Sequence, residues 1–292
     1  MSIYKHNYRS YTGRLTPVWS RVLVLARYGF QEAWSSKITV ALFTLGMLPS
    51  IFFLLGIFLA NNPLARALVG AKGMDAATID SRFFLIVLQF HCWIALVLTA
   101  WIAPRLITFD LADNALPILL SHPISRFGYV AGKFIALLGT LSAITWVPCL
   151  LLFGYQAYAS PVPWAASHLR IAVGMLAGSL IWILLLSMLS LALSSWVKWR
   201  MVATGIIFAA VFIPAGIGAI VFAVLRTRWG MLLNLPYTMS LLWQRLLGAP
   251  PPIFGPNFNL PSPAILLSLL AAILGCVAIL NARIRAREVV RG

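Results

Sequence analysis

Six stretches of this chain, at about 38–60, 83–103, 134–154, 171–197, 201–225 and 264–282, contain no Asp, Glu, Lys or Arg. Each is close to the roughly 20 apolar residues a helix needs to cross a bilayer core of about 30 Å. Backbone N–H and C=O groups meet no water in hydrocarbon, so a lipid-exposed run of this kind is confined to helix or closed barrel. Runs of this length choose helix. The chain is therefore expected to be an all-α polytopic membrane protein, with a single transmembrane domain over 1–292. Composition agrees, since 10% of the 292 residues are charged and soluble domains carry about 25%. An ordinary soluble enzyme is excluded.

The chain has 22 Lys and Arg against 6 Asp and Glu, a net charge of +16. These basic residues sit between the apolar runs, where orientation signals belong, so they predict no nucleic-acid partner. Fifteen fall on one side of the spans: Lys5, Arg9, Arg14, Arg21, Arg27, Lys37, Arg105, Arg126, Lys133, Lys198, Arg200, Arg283, Arg285, Arg287 and Arg291. Seven fall on the other: Arg66, Lys72, Arg82, Arg170, Arg226, Arg228 and Arg245. The excess predicts that both termini are cytoplasmic, and an even span count agrees in putting them on one side. The first 37 residues are polar and basic, and predict no cleavable signal peptide.

Two segments outside the spans are also structured by their pattern. Between Trp19 and Trp34, the residues Trp19, Val22, Leu23, Ala26, Phe30, Ala33 and Trp34 recur at helical spacing. Arg21, Arg27 and Glu32 interrupt them, and Gly29 weakens the helix slightly. Aromatic ends with basic residues suit an amphipathic helix in the membrane interface, and a helix merely packed on the bundle fits the same pattern. From Arg226 to Ser262, leucines and tryptophans alternate with prolines and three arginines. That composition predicts a short re-entrant or interfacial helical pair on the outer side.

Candidate chemistry inside the spans is sparse. A carboxylate near the midplane, expected of an ion-coupled transporter, is missing from all six runs. So are the base and orienting partner that a hydrolase nucleophile needs. His91 stands alone in the second span and reads as a packed, hydrogen-bonded core residue rather than a haem ligand. Cys92, Cys149 and Cys276 are far apart and suggest neither disulfide nor metal site. Gly128, Gly132 and Lys133 resemble a phosphate-binding loop, but one intervening residue is missing and Phe134 replaces the magnesium-binding hydroxyl. No ATP site, cofactor site or metal site is predicted in this chain.

The informative segment is the connection between spans two and three, residues 104–133. Phe109, Ala112, Leu116, Leu119 and Leu120 fall at helical spacing, with Asp110, Asp113 and Asn114 on another face. Pro117 divides the segment into two short helices. Packing on its own bundle and docking into a partner's cleft are both open to such a knuckle.

Here the chain resembles the type-2 ATP-binding cassette (ABC) transporter permeases, the membrane subunits of exporters. That family carries an acidic residue, a Leu-Leu pair, a Pro-Ile/Val-Ser-Arg turn, and Gly-Lys opening the third span. Asp110 matches the acidic position, and Leu116, Leu119 and Leu120 the apolar ones. Pro123, Ile124, Ser125 and Arg126 match the turn, and Gly132 and Lys133 the span start. Asn114-Ala115 and Pro117 depart from the family's frequent Gly-Thr and Glu. The elbow helix with Trp19, Arg27, Glu32 and Trp34, the six spans and the bulky outer segment occur in the family's order.

The resemblance implies a non-enzymatic permease of a bacterial or archaeal cytoplasmic membrane. It would pair with a second copy or a related permease and contact membrane lipid. Two separate ATPase subunits would bind ATP and Mg and hydrolyse the nucleotide. The segment from Asp110 to Arg126, with Asp113 included, would be the coupling helix, with Asp110 holding a helix start. An integral membrane scaffold or assembly factor is the first rival, and a lipid-carrier transferase the second.

Overall fold

A computed structural model describes residues 17–70, 79–112, 125–160, 164–251 and 258–288. Eleven α-helices and one 3-10 helix account for the regular structure among them. Helix α1 spans Val18–Trp34, α2 Lys37–Asn61, α3 Pro63–Val69 and α4 Ser81–Ala112. Next come α5 Arg126–Ile144, α6 Trp146–Ala159, α7 Trp164–Ser167 and α8 Leu169–Ser194. Helix α9 covers Arg200–Leu225, a 3-10 helix Arg228–Leu233, α10 Leu235–Leu247 and α11 Ser262–Glu288. No strand occurs among the described residues.

Six helical stretches are long and apolar enough to cross a membrane: Lys37–Asn61, Ser81–Thr108, Phe127–Ala159, Leu169–Ser194, Arg200–Leu225 and Ser262–Arg283. All six coincide with the runs read from the sequence. In α4 and α8 61% of the most apolar window is buried, against 11%, 17% and 22% in α2, α9 and α11. So α4 and α8 form the centre, and the other three turn apolar faces outward as lipid-facing helices must. Successive long helices run in alternate directions. One end of the bundle therefore gathers α1, the close of α4, the start of α5, the α8–α9 connection and the close of α11; this is the α1 end. At the other, the α10 end, Asn61 Nδ2 donates to Gln156 Oε1 at 2.8 Å and Arg82 Nη2 to the Pro251 carbonyl at 3.3 Å.

Prolines in the spans act differently according to what relieves them. Pro49, Pro104 and Pro214 lie inside continuous helices. A proline has no N–H, so Pro104 strips the Ala100 carbonyl of its helical donor. The Thr204 hydroxyl of α9 donates to that carbonyl at 2.9 Å. This is how a membrane helix keeps a proline, by taking a donor from its neighbour. The third span breaks at Thr145 (φ −103°, ψ −92°), where Pro148 opens the helix that follows.

The third span also starts earlier than the reading at 134, at Arg126. Ser125 is the cause: its Oγ accepts from the Gly128 N–H at 3.0 Å, an N-cap. Gly29 likewise has a packing reason, for a Cβ there would stand 3.1 Å from Ala136 Cβ in α5.

His91 is buried, as the core reading expects. Its Nδ1 lies 2.8 Å from the Val87 carbonyl and its Nε2 2.7 Å from Ser50 Oγ. A carbonyl only accepts, so Nδ1–H donates and Nε2 takes the Ser50 proton. Both ring nitrogens are occupied by this packing.

Candidate functional site

The segment singled out by the sequence begins and ends inside helices. Helix α4 does not stop at residue 103 but runs through 32 residues to Ala112, roughly 48 Å at ~1.5 Å per residue. That exceeds the ~30 Å of hydrocarbon by a wide margin. Asp110 consequently lies in the last turn of α4 and not at a helix start, a correction to the role read for it. The apolar periodicity of Leu106 and Ile107, both buried, carries the helix through this point. Arg126 is the first residue of α5, and Ser125 caps that helix. Asp113, Leu116, Leu119, Leu120 and Pro123 lie outside the described residues.

Beside this stem lies α1. Val22, Ala26, Gly29 and Ala33, spaced four, three and four residues apart, face the bundle. A Cβ at Gly132 would stand 2.8 Å from Leu25 Cδ2, so the glycine lets α1 seat directly on α5. Lys133 is 5% exposed, its stem under Gly29 and its Nζ 5.7 Å from the Tyr129 ring centroid. Gly132 and Lys133 thus belong to the seat of α1 on α5. The other face of α1 is exposed and apolar: Trp19, Leu23, Val24, Tyr28 and Phe30, with Arg27 among them. Glu32 and Trp34 are half-buried, and Trp34 meets Phe43 of α2 edge-on with centroids 4.8 Å apart.

A second feature, a cleft beside α10 at the α10 end, escaped the sequence reading. Helix α10 starts where Asn234 Oδ1 accepts from the Tyr237 N–H at 3.0 Å, with Pro236 in its first turn. It ends at Gly248 (φ +68°), where Ala249 N–H returns to the Gln244 carbonyl at 2.9 Å. Arg170 donates to the Arg245 and Leu246 carbonyls at 2.7 and 3.1 Å, satisfying the final turn. Between these caps α10 lies on α8. A Cβ at Gly174 would be 3.0 Å from the Leu246 carbonyl carbon, and one at Gly178 2.5 Å from Trp243 Cδ1. Trp243 Nε1 donates to the Gly178 carbonyl at 3.1 Å, and Trp182 Nε1 to the Cys92 carbonyl at 2.9 Å.

These contacts leave a cleft of about 370 Å³ between α4, α8, α9 and α10. Trp93, Trp182, Trp243 and Phe212 form its walls, and Gln89, Asn234, Tyr237 and Ser240 supply polar groups. Gln89 Nε2 donates to Ser240 Oγ at 3.3 Å, and Tyr237 Oη accepts from the Phe258 N–H at 3.0 Å. Burial pushes the Tyr237 phenol up, against that backbone bond, so it stays neutral at physiological pH. An aromatic cleft with a few neutral polar groups suits an amphipathic molecule better than an ion. The available signal was Trp182, near the middle of its span rather than in an interfacial belt.

No protein-family model matches this chain, and no curated protein matches it significantly.

Proposed function

We propose that this protein is the membrane permease subunit of an ATP-binding cassette exporter, driven by separate ATPase subunits. The observation that carries the proposal is the α4–α5 stem. Helix α4 runs beyond its apolar stretch, which closes at Thr108, to Ala112, α5 opens at Arg126, and α1 packs against both through Gly29. The motif-bearing stretch that joins these two helices in sequence is suited to pass a partner's movement into α4, a central helix of the bundle.

Other features support the same reading. The basic excess on the α1 side favours a cytoplasmic α1 end and cytoplasmic termini. Helix α1 buries one apolar face and exposes another bearing two aromatics beyond Trp19, which suits an elbow helix in the membrane interface. The cleft at the α10 end would then open toward the outer half of the membrane, with α10 as an outer re-entrant element. A second permease copy or a related chain would complete the transporter. Closure of two ATPases on these segments would shift a two-state bundle, exposing its path outward.

The test is co-purification from native membranes. Tagged wild-type chain should bring down Mg-ATP hydrolysis, and Leu119→Glu should lose most of it while still inserting. Asn114→Glu, on the polar face, should retain it. Full activity with Leu119→Glu would refute the coupling role, and no ATPase with the wild type would favour the scaffold.

A further inference from the structure

Among the nitrogen donors at the α1 end that have no acceptor, four belong to three neighbouring side chains. Trp101 Nε1, Arg105 Nε, and Arg200 Nε and Nη2 are all buried at the atom level and make no hydrogen bond. The three residues lie together. Arg200, first residue of α9, places its guanidinium carbon 4.0 Å from the Trp101 ring centroid, a cation–π contact. Trp101 and Arg105 are one turn apart on α4, hence on one face. The Thr204–Ala100 hydrogen bond fixes the first turn of α9 against this part of α4.

Two cations and an indole N–H grouped on neighbouring turns of α4 and α9, without a carboxylate paired to them among the described residues, are unfavourable unless an anion completes them. The start of α9 adds to the positive field, since Trp199 at its N-cap makes no side-chain cap bond. Just outside, Trp199, Met201 and Val202 are 76%, 71% and 45% exposed. So a buried set of anion-binding donors borders an exposed apolar strip, at the end of two membrane-crossing helices. The matching ligand is negatively charged at the head and apolar below it.

We infer that Trp101, Arg105 and Arg200 bind the phosphate of an anionic phospholipid from the leaflet at the α1 end. The phosphate approaches the partly exposed side of the two guanidinium groups and offsets the charge of their occluded nitrogens, and an acyl chain runs along Met201 and Val202 of α9. Basic pockets between membrane helices at this depth hold lipid headgroups in the same way. The site does not depend on the exporter reading.

The experiment uses the whole chain in nanodiscs of phosphatidylcholine with and without phosphatidylglycerol, read by native mass spectrometry of retained lipid and by thermal unfolding. Wild type should retain phosphatidylglycerol about tenfold over phosphatidylcholine and unfold at higher temperature with it. The double variant Arg105→Gln/Arg200→Gln should lose both the preference and the thermal gain. In phosphatidylcholine alone it should be at least as stable as wild type, because the uncompensated charges are gone; this separates a lost site from a misfolded protein. Lys198→Gln, an exposed cation of the same connection, should behave as wild type. The inference is overturned if the double variant keeps the preference, or if wild type shows none. It is also overturned if inorganic phosphate alone gives the same thermal gain, or if the double variant's only change is loss of a protein partner.

Discussion

Replacing Gly174 by leucine tests the seat of α10 on α8. A Cβ at Gly174 would stand 3.0 and 3.1 Å from the carbonyl carbon and oxygen of Leu246. Those are backbone atoms, and Arg170 Nε fixes that carbonyl at 3.1 Å. Neither can turn aside as a side chain would, so the whole of α10 must move off. Overpacking of this sort costs about 1–3 kcal/mol. Moving α10 also breaks the Trp243–Gly178 hydrogen bond one turn away, about 1 kcal/mol more. Removing a helical glycine returns about 0.8–1 kcal/mol. The net loss is about 1–3 kcal/mol, which corresponds to a fall in Tm of roughly 3–10 °C. Gly216→Leu in α9 is the control, since nothing lies within 4 Å of its Cβ position. It should leave Tm unchanged or raise it slightly. The assay is tryptophan-fluorescence unfolding of both purified variants in one detergent. Equal Tm values for the two would refute the close approach of α8 and α10.

Ser125→Ala removes the cap of α5 and should cost about 1 kcal/mol, seen as faster hydrogen exchange at residues 126–129 and slower decay inward. Ser50→Ala leaves His91 Nε2 buried without its donor and should lower stability by about 1–2 kcal/mol, measured by unfolding. Reporter fusions at Gly292 and near Asn257 should show opposite sidedness, and the same side for both would remove the six-span topology.

The spans were legible because charge exclusion over about 20 residues has few physical causes. Their interruptions were less so. Pro148 accompanies a break, yet Pro49, Pro104 and Pro214 do not. What separates them includes the Thr204 hydroxyl, supplied to the Ala100 carbonyl from a helix some hundred residues away. No local pattern encodes that. The early start of α5 was readable, since Ser125 is a standard N-cap residue ahead of a helical run. The boundaries of α10 were also marked by Asn234, Pro236 and Gly248. The two sites differ in the same way. The 110–126 motif is contiguous and can be found by eye. The Arg105–Arg200 pair and the cleft join residues from separate helices, and each member alone resembles an ordinary flank or core residue. Gly174 and Gly178, four residues apart on α8, permit close packing by any helix, and only the fold names α10 as the element that approaches.

The most direct measurement of the coupling account is a photocrosslink from the motif-bearing segment itself. A photoreactive residue at position 119, illuminated in native membranes, should give an adduct with a separate protein whose peptides include a Gly-x-x-x-x-Gly-Lys-Ser/Thr loop. The same probe at Val173, exposed on α8 at the α10 end, should not. Adducts from position 119 only with this chain or with lipid would contradict the claim that an ATPase docks there.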